Sequence, residues 1–330
     1  MPPSDGKQCR SSSPKPSTLD SLVFRLLLAT CRRQGRFYVR PWWGRVYSRF
    51  TARHRVVNAT VHGREVILNF GYIYPITARL YPTYNAPLLE LVHEVYQLKK
   101  RPIRLVDVGA AIGDTALLVE ANCQGMVSEI VCLDGDSESF GYLRTNLASR
   151  PKARLIFVQL SRSESYCPAL VRAPAGSASA EGIAKVMTAS LDEVLQSNDI
   201  GPIDVLKIDV DGFDGEVLAG AREILEGNHP SVVFEWHPIY CQRTGNSWHE
   251  AFRSLEAAGY SRFIWFDKFG IFSHFMVGYG HASIDATAEF CLADIPADWH
   301  YDVVALHESS SLDMQALAKL AFSRKRSSQF

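Results

Sequence analysis

The sequence predicts an α/β fold: a mostly parallel sheet with helices on both faces, preceded by an N-terminal helical and hairpin extension. Three observations point to it. From Arg104 onward, short apolar runs alternate with helical patterns, which is how a parallel sheet covered on both faces reads. Residues 104–115, Arg-Leu-Val-Asp-Val-Gly-Ala-Ala-Ile-Gly-Asp-Thr, read as a buried strand, a glycine turn and a helix start. Acidic residues then cluster at the carboxyl ends of successive strands, where an open parallel sheet binds its ligands.

Taken in order, residues 1–18 are rich in Ser, Pro and Lys and read as a disordered basic tail. Residues 19–83 form an N-terminal extension. In it Ser17 and Asp20 give a capping-box-like start, and Leu19, Leu22, Val23, Leu26 and Leu27 recur at helical spacing. That run is too short to span a bilayer, and Arg25 interrupts it. It also lacks a signal-peptide cleavage site. Arg32, Arg33, Arg36, Arg40, Arg45 and Arg49 follow, interleaved with Phe37, Tyr38, Trp42, Trp43 and Tyr47. The favoured reading is a helix packed on the main domain with a solvated basic face. Peripheral contact with an anionic membrane through residues 19–50 is the second, and an Arg- and Ser-rich transit segment the third. A hairpin over 56–61 and 65–70 turns at His62-Gly63-Arg64. Pro82 and Pro87 bracket a loop and the start of a helix that carries Leu88, Leu91, Val92, Val95 and Leu98 on one face.

The main domain spans 84–306. Its expected strands are 104–108, 129–133, 154–160, 203–208 and 231–236, then 260–266, 271–277 and 301–306. Its expected helices start at Ile112 and run over 138–148, 192–196, 216–225 and from Ser247 to Gly259. Residues 161–187, rich in Ser, Ala, Gly and Pro, read mostly as loop. Residues 307–330 read as a C-terminal helix over 311–322 and a basic tail.

At 47% hydrophobic and 21% charged residues, the composition is that of a soluble globular protein. The zero overall charge hides an asymmetry: residues 1–64 hold 13 Lys/Arg against Asp5 and Asp20, leaving the rest at about −11. A basic arm of this kind suits an anionic surface; nucleic acid is not the expected partner. The seven cysteines include no C-x-x-C pair, so neither a zinc site nor a disulfide framework is expected. A reducing cytoplasmic location follows, with membrane association as an option.

The glycines at 109 and 113 give G-x-x-x-G rather than the G-x-G-x-x-G of dinucleotide sites. Asp134, 25 residues after Gly109, suits a ribose diol. Asp107, Asp114 and Asp136 would repel a pyrophosphate, and no Lys or Arg lies in the turn, so the rim fits a cationic ligand better. Candidate bases stand at the later strand ends: Asp209, Asp211, Glu235 and His237. In a strand, Glu235 and His237 share a face, and His titrates near neutrality. Asp211 and Asp214 also suit a helix N-terminus. Together with Asp209 they offer a Mg²⁺ alternative, but no metal is expected. Trp236, Trp248 and Trp265 suit core packing better than a sugar or lipid pocket.

These features resemble the class I S-adenosylmethionine-dependent methyltransferases and, more narrowly, the FkbM family. The resemblance rests on Val106-Asp-Val-Gly-Ala-Ala-Ile-Gly-Asp114, Leu133-Asp-Gly-Asp136, Leu206-Lys-Ile-Asp-Val-Asp-Gly-Phe-Asp214, Leu218-Ala-Gly-Ala221 and Phe234-Glu235. It covers about residues 84–270, with Asp in place of Glu at 134, 211 and 214 and Gly135 in place of Pro. It implies a Rossmann-like methyltransferase domain with S-adenosyl-L-methionine as cofactor. The turn of Gly109, Ala110, Ala111, Gly113, Asp114 and Thr115 would wrap its methionine part. Asp134 would take the ribose, Asp136 and Gln159–Ser161 would lie near the adenine, and Asp209 and Asp211 would face the substrate. The expected reaction is O-methylation of a saccharide, glycolipid or secondary metabolite, with His237 as base and Asp209 positioning the acceptor. An NAD-dependent oxidoreductase and a non-catalytic membrane-associated binding module are the alternatives.

Overall fold

The computed structural model describes residues 15–31, 41–168, 171–172, 178–179, 185–293 and 298–323. Of the expected tail 1–18, residues 1–14 lie outside the described residues, as do the Arg-rich segment 32–40 and the basic end 324–330, while Ser17 and Thr18 are ordered as the start of the first helix. Helix α1 (Thr18–Cys31) starts at Ser17, whose Oγ accepts the Asp20 amide at 3.3 Å. The Asp20 carboxylate does not complete a capping box; it accepts two bonds from Arg55 at 3.0 and 3.1 Å. The predicted apolar stripe is split. Phe24, Leu27 and Leu28 are buried, while Leu19, Leu22 and Leu26 face outward. Phe24 decides the seating because it packs edge-on against Phe70 at 5.0 Å. Helix α2 (Pro41–Thr51) lays Phe50 on the same ring at 5.0 Å.

Strands β1 (Val56–Val61) and β2 (Arg64–Asn69) form the hairpin. Its two-residue turn has both His62 and Gly63 left-handed, at φ 49 and 73°, matching the twist of the strands. Helix α3 (Tyr74–Leu80), which sequence patterning did not indicate, precedes α4 (Ala86–Lys99).

The main sheet follows: β3 (Ile103–Val108), α5 (Asp114–Asn122), β4 (Val127–Asp134), α6 (Ser137–Asn146) and β5 (Ala153–Phe157). The strand expected over 154–160 breaks at Val158, whose amide donates to the Asp134 carbonyl at 3.1 Å. The chain then leaves the sheet as β6 (Gln159–Leu160), which pairs with β10 (Lys185–Ala189); β7 (Ser165–Pro168) pairs with β10 from the other side. Strands β8 (Val171–Arg172) and β9 (Ala178–Ser179) form a second small pair. The stretch expected as loop is therefore a small β insertion. Its Ser- and Gly-rich composition masked short antiparallel pairing.

Helix α7 (Leu191–Ser197) opens with a full capping box of Ser190 and Glu193. After β11 (Val205–Ile208), the helix expected at 216–225 is two pieces, α8 (Asp214–Ala219) and α9 (Arg222–Asn228). Gly220 separates them, and a Cβ there would lie 2.4 Å from the Ser161 carbonyl oxygen, so the insertion packs onto this break. The rest is β12 (Ser231–Trp236), α10 (Pro238–Thr244), α11 (Glu250–Ala257), β13 (Tyr260–Asp267), β14 (Phe272–Val277), α12 (His281–Leu292), β15 (Tyr301–His307) and α13 (Met314–Ser323). Helices α10 and α12 were not foreseen.

The eight-stranded sheet runs β14-β13-β15-β12-β11-β3-β4-β5. Strands β12, β11, β3, β4 and β5 are parallel, while β15 is antiparallel to both neighbours, β12 and β13. The strand order reverses between β3 and β11, which opens a crevice at their carboxyl ends. Trp236 and Trp265 are fully packed, edge to face at 5.1 Å, in the core on one side of this sheet. No helix among the described residues is long and apolar enough to cross a membrane.

Candidate active site

The crevice is built around the β3 turn. Gly109 has φ +79°, and a Cβ there would stand 1.9 Å from the Asp209 carbonyl oxygen, so only glycine lets the ends of β3 and β11 approach. Ala111 is also left-handed, at φ 47°, an arrangement that costs about 1–2 kcal/mol for a residue with a Cβ. What holds it is Asp134: Oδ2 accepts the Ala111 amide at 2.7 Å and Oδ1 accepts the Asp136 amide at 2.8 Å. The short acid therefore ties the β3 turn to the β4 turn. Asp136 caps α6 by accepting the Ser139 amide at 2.7 Å.

Two compartments meet here. A narrow slot of about 40 Å³ lies between Val108, Leu133, Asp134, Gly135, Val158, Leu160, Val210, Phe213 and Val217. Largely apolar walls with two acids, Asp134 and Asp211, suit the edge of a nucleoside. Gly109 and Asp211 line both this slot and a larger cavity of about 360 Å³. The cavity floor is Ala111, Asp114, Thr115, Lys207, Asp209, Glu235 and His237. Its roof is aromatic: Tyr72, Tyr74, Tyr81 and Tyr84 from the segment around α3, with Tyr240 and Phe269. Tyr81 and Phe269 stack at 3.9 Å.

Lys207 organises the floor. Its buried ammonium lies 3.0 Å from Asp107 Oδ1 and 3.4 Å from Asp209 Oδ2. Burial alone would lower its pKa, but Asp107 and Asp209 outweigh burial and hold it charged, above the ordinary lysine range. Asp114, accepting the Tyr72 hydroxyl at 3.0 Å, is pushed by burial to about 7, against the pull of Lys207. Asp302 is likewise raised by burial to about 7, with Asp209 adding to the effect. Burial, with Asp209 and Asp211, also raises Glu235.

At the far end, His237 is only 1% exposed. Its Nε2 lies 3.0 Å from Asp298 Oδ1, and its Nδ1 has no hydrogen-bond partner among the described residues. The ring is sandwiched between Tyr240 at 3.7 Å and His300 at 4.6 Å. His300 Nε2 lies 3.3 Å from Glu235 Oε1, and burial lowers its pKa to about 3. Burial opposes ionisation of Asp298, but the His237 hydrogen bond, with Lys268 nearby, holds its carboxyl below the usual range. Ligand atoms of His237, Asp298 and His300 lie within 4.8 Å of one another. The imidazole planes differ by only 20°, however, so their lone pairs run side by side and do not converge on one ion.

Of the residues singled out from sequence, Gly109, Ala111, Asp114, Thr115, Asp209, Asp211, Glu235 and His237 line the cavity, and Asp134 lines the slot. Asp107 sits fully buried beneath Lys207. Gly113 and Ala110 shape the turn, and Asp136 caps a helix. Ser161 instead bonds its amide to the Ala189 carbonyl at 3.0 Å, joining the insertion. Asp214 turns toward the amides of Val210 and Gly212, at 3.4 and 3.2 Å, away from any shared ion with Asp209 and Asp211. Sequence reading missed Lys207, Asp298, His300 and the tyrosine roof. Only Lys207 carried a signal, a lone charge inside the apolar run 203–208.

Residues 107–262 match the family model described as the methyltransferase FkbM domain. Among solved structures, the chain is similar to methyltransferase FkbM from Methylobacillus flagellatus KT. That similarity is 14% identity with a TM-score of 0.40, over 62% of this chain and 43% of that one, less than half its length. It is also similar to the O-methyltransferase from Bacillus cereus in complex with SAH, at 13% identity and a TM-score of 0.37, over 67% of this chain and 80% of that one. A third is the Methanococcus jannaschii fibrillarin pre-rRNA processing protein, at 11% identity and a TM-score of 0.38, over 78% and 84%. No curated protein matches the chain. Residues 107–262 thus match a methyltransferase FkbM domain, and they lie on a Rossmann-like, mostly parallel α/β sheet.

Proposed function

We propose that the chain is an S-adenosylmethionine-dependent O-methyltransferase whose acceptor is a hydroxylated saccharide, glycolipid or secondary metabolite. One observation carries this reading: His237 lines the cavity with Nε2 bonded to Asp298 and Nδ1 unpartnered among the described residues. Asp298 is a carboxylate acceptor, so the tautomer it selects carries hydrogen on Nε2 and leaves the Nδ1 lone pair able to take a proton. Nδ1 is shielded from solvent between Tyr240 and His300, so the acceptor would have to displace part of that packing; a hydroxyl that reached Nδ1 would lose its proton there, and Asp298 would stabilise the imidazolium that forms. Asp209, 44% exposed and held at one oxygen by Lys207, keeps acceptor capacity for positioning that hydroxyl. The glycine turn and Asp134 would hold the cofactor's nucleoside side, and Asp114 and Asp209 suit its cationic end. S-adenosylmethionine, when bound, supplies an electrophilic methyl group. The aromatic roof supports a ringed acceptor, because sugar and aromatic faces both stack on such walls.

The test is transfer of labelled methyl from S-adenosylmethionine to a panel of hydroxylated saccharides, glycolipids and phenols. His237→Ala should lower kcat by about 10²–10⁴ while calorimetry shows the cofactor still binding. Full activity in that variant would move the base to Asp209, with Asp209→Asn as the next measurement.

A further inference from the structure

Helix α1 has two apolar faces, and the fold uses one. Phe24, Leu27 and Leu28 seat the helix in the core, at 0, 4 and 2% exposure. Leu19, Leu22 and Leu26 remain 69, 55 and 53% exposed, and their i, i+3, i+7 spacing puts them on one outward stripe. Packing against the domain therefore does not account for these leucines. Three large aliphatic side chains side by side on one solvent-facing helix are the kind of patch that marks an interaction site.

The surrounding charge says what kind. Lys7, Arg10 and Lys15 precede the helix in sequence, and Arg32, Arg33 and Arg36 follow it. An aliphatic stripe on a helix that is flanked in sequence by cations is complementary to an anionic bilayer surface, where leucines favour the acyl boundary and cations the headgroup phosphates. Position adds a consequence. The Arg79 guanidinium on α3 donates to the Leu28 carbonyl at 3.3 Å, so α1 and α3 are joined. Ile73, Tyr74 and Thr77, in and just before α3, line the large cavity, and Ile73 is itself 48% exposed.

We infer that α1 docks this chain on an anionic membrane through Leu19, Leu22 and Leu26, holding the cavity near the interface to receive an acceptor presented by the bilayer. The part that concerns the acceptor rests on the methyl-transfer reading; the lipid binding does not, and it is measured without turnover.

The experiment is co-sedimentation of full-length protein with phosphatidylcholine vesicles, with and without about one part in three of phosphatidylserine. Binding should need the anionic lipid and fade with added salt. Leu19→Ser/Leu22→Ser/Leu26→Ser should lower the partition coefficient by about tenfold or more, since association scales with the apolar area inserted. These side chains are exposed, so the thermal midpoint should hold, and Phe24→Ala serves as the control that destabilises the helix seat. Equal binding by parent and triple variant would overturn the proposal, as would no binding by the parent. A parent that is dimeric by light scattering and becomes monomeric in the triple variant would overturn it too, giving the stripe to a second copy.

Discussion

Replacing Lys207 by Met tests whether its ammonium is what makes the acidic floor tolerable. The ammonium lies 3.0 Å from Asp107 and 3.4 Å from Asp209, and Asp107 is wholly inaccessible to water. Met fills a similar volume, so packing changes little, but Asp107 loses its counter-charge. Breaking one half of a buried pair costs about 3–5 kcal/mol. The buried carboxyl can escape part of that by taking up a proton, which gives the effect a sign with pH. In Lys207→Met the folded-state pKa of Asp107 lies above its unfolded value, so the folded state binds more protons and stability falls as pH rises between the two values. The variant should therefore be closest to the parent in mild acid and furthest from it above neutrality. Asp107→Asn/Lys207→Met removes both charges and should recover at least half the loss. Urea titrations of the parent, both singles and the double at two pH values supply the cycle. A Lys207→Met loss below about 1 kcal/mol, or a double variant no better than that single, would refute the assignment.

Asp134→Ala should weaken S-adenosylmethionine binding by about 1.5–3 kcal/mol in calorimetry, because it removes a charged acceptor and frees the Ala111 amide from its anchor. Gly109→Ala should abolish nucleoside binding and lower the unfolding midpoint, since its Cβ would collide with the Asp209 carbonyl. Burial raises Asp114 to about 7, so the parent should lose stability as pH rises from its unfolded value toward neutrality. Asp114→Asn should flatten that part of the denaturation profile. Gly220→Ala should cost about 1–3 kcal/mol by forcing the helix break away from Ser161, read out by thermal unfolding.

Much of the scaffold was legible because parallel strands buried on both faces leave apolar runs, such as Val106 and Val108 or Leu206 and Ile208, bounded by turn residues. The glycine turn and the strand-end acids were legible for the same reason: Gly109, Asp134 and Asp209 sit at strand ends, within motifs read continuously along the chain. The partner of His237 was not, because Asp298 lies 61 residues away and meets it only when β15 returns beside β12. Nor does spacing reveal which face of α1 the core selects; that choice belongs to Phe24 and Phe70, 46 positions apart in sequence. Gly220 shows a further limit. Alone it reads as a tolerated helix glycine, and only the insertion pressed against it makes it a boundary.

The tyrosine roof has a consequence for how the cavity is divided along the chain. Tyr72, Tyr74, Tyr81 and Tyr84 precede the matched residues 107–262, and Lys268, Phe269, Asp298 and His300 follow them. The part of the cavity that lies within the matched residues is thus closed over by walls that lie outside them. Substituting residues 72–85 from a related chain would exchange that surface of the cavity and leave Asp134 and His237 in place, the Tyr72–Asp114 hydrogen bond being the one contact with the turn to preserve. Under the proposed methyl-transfer reading, selectivity for the acceptor would then drift, or be engineered, largely apart from the glycine turn.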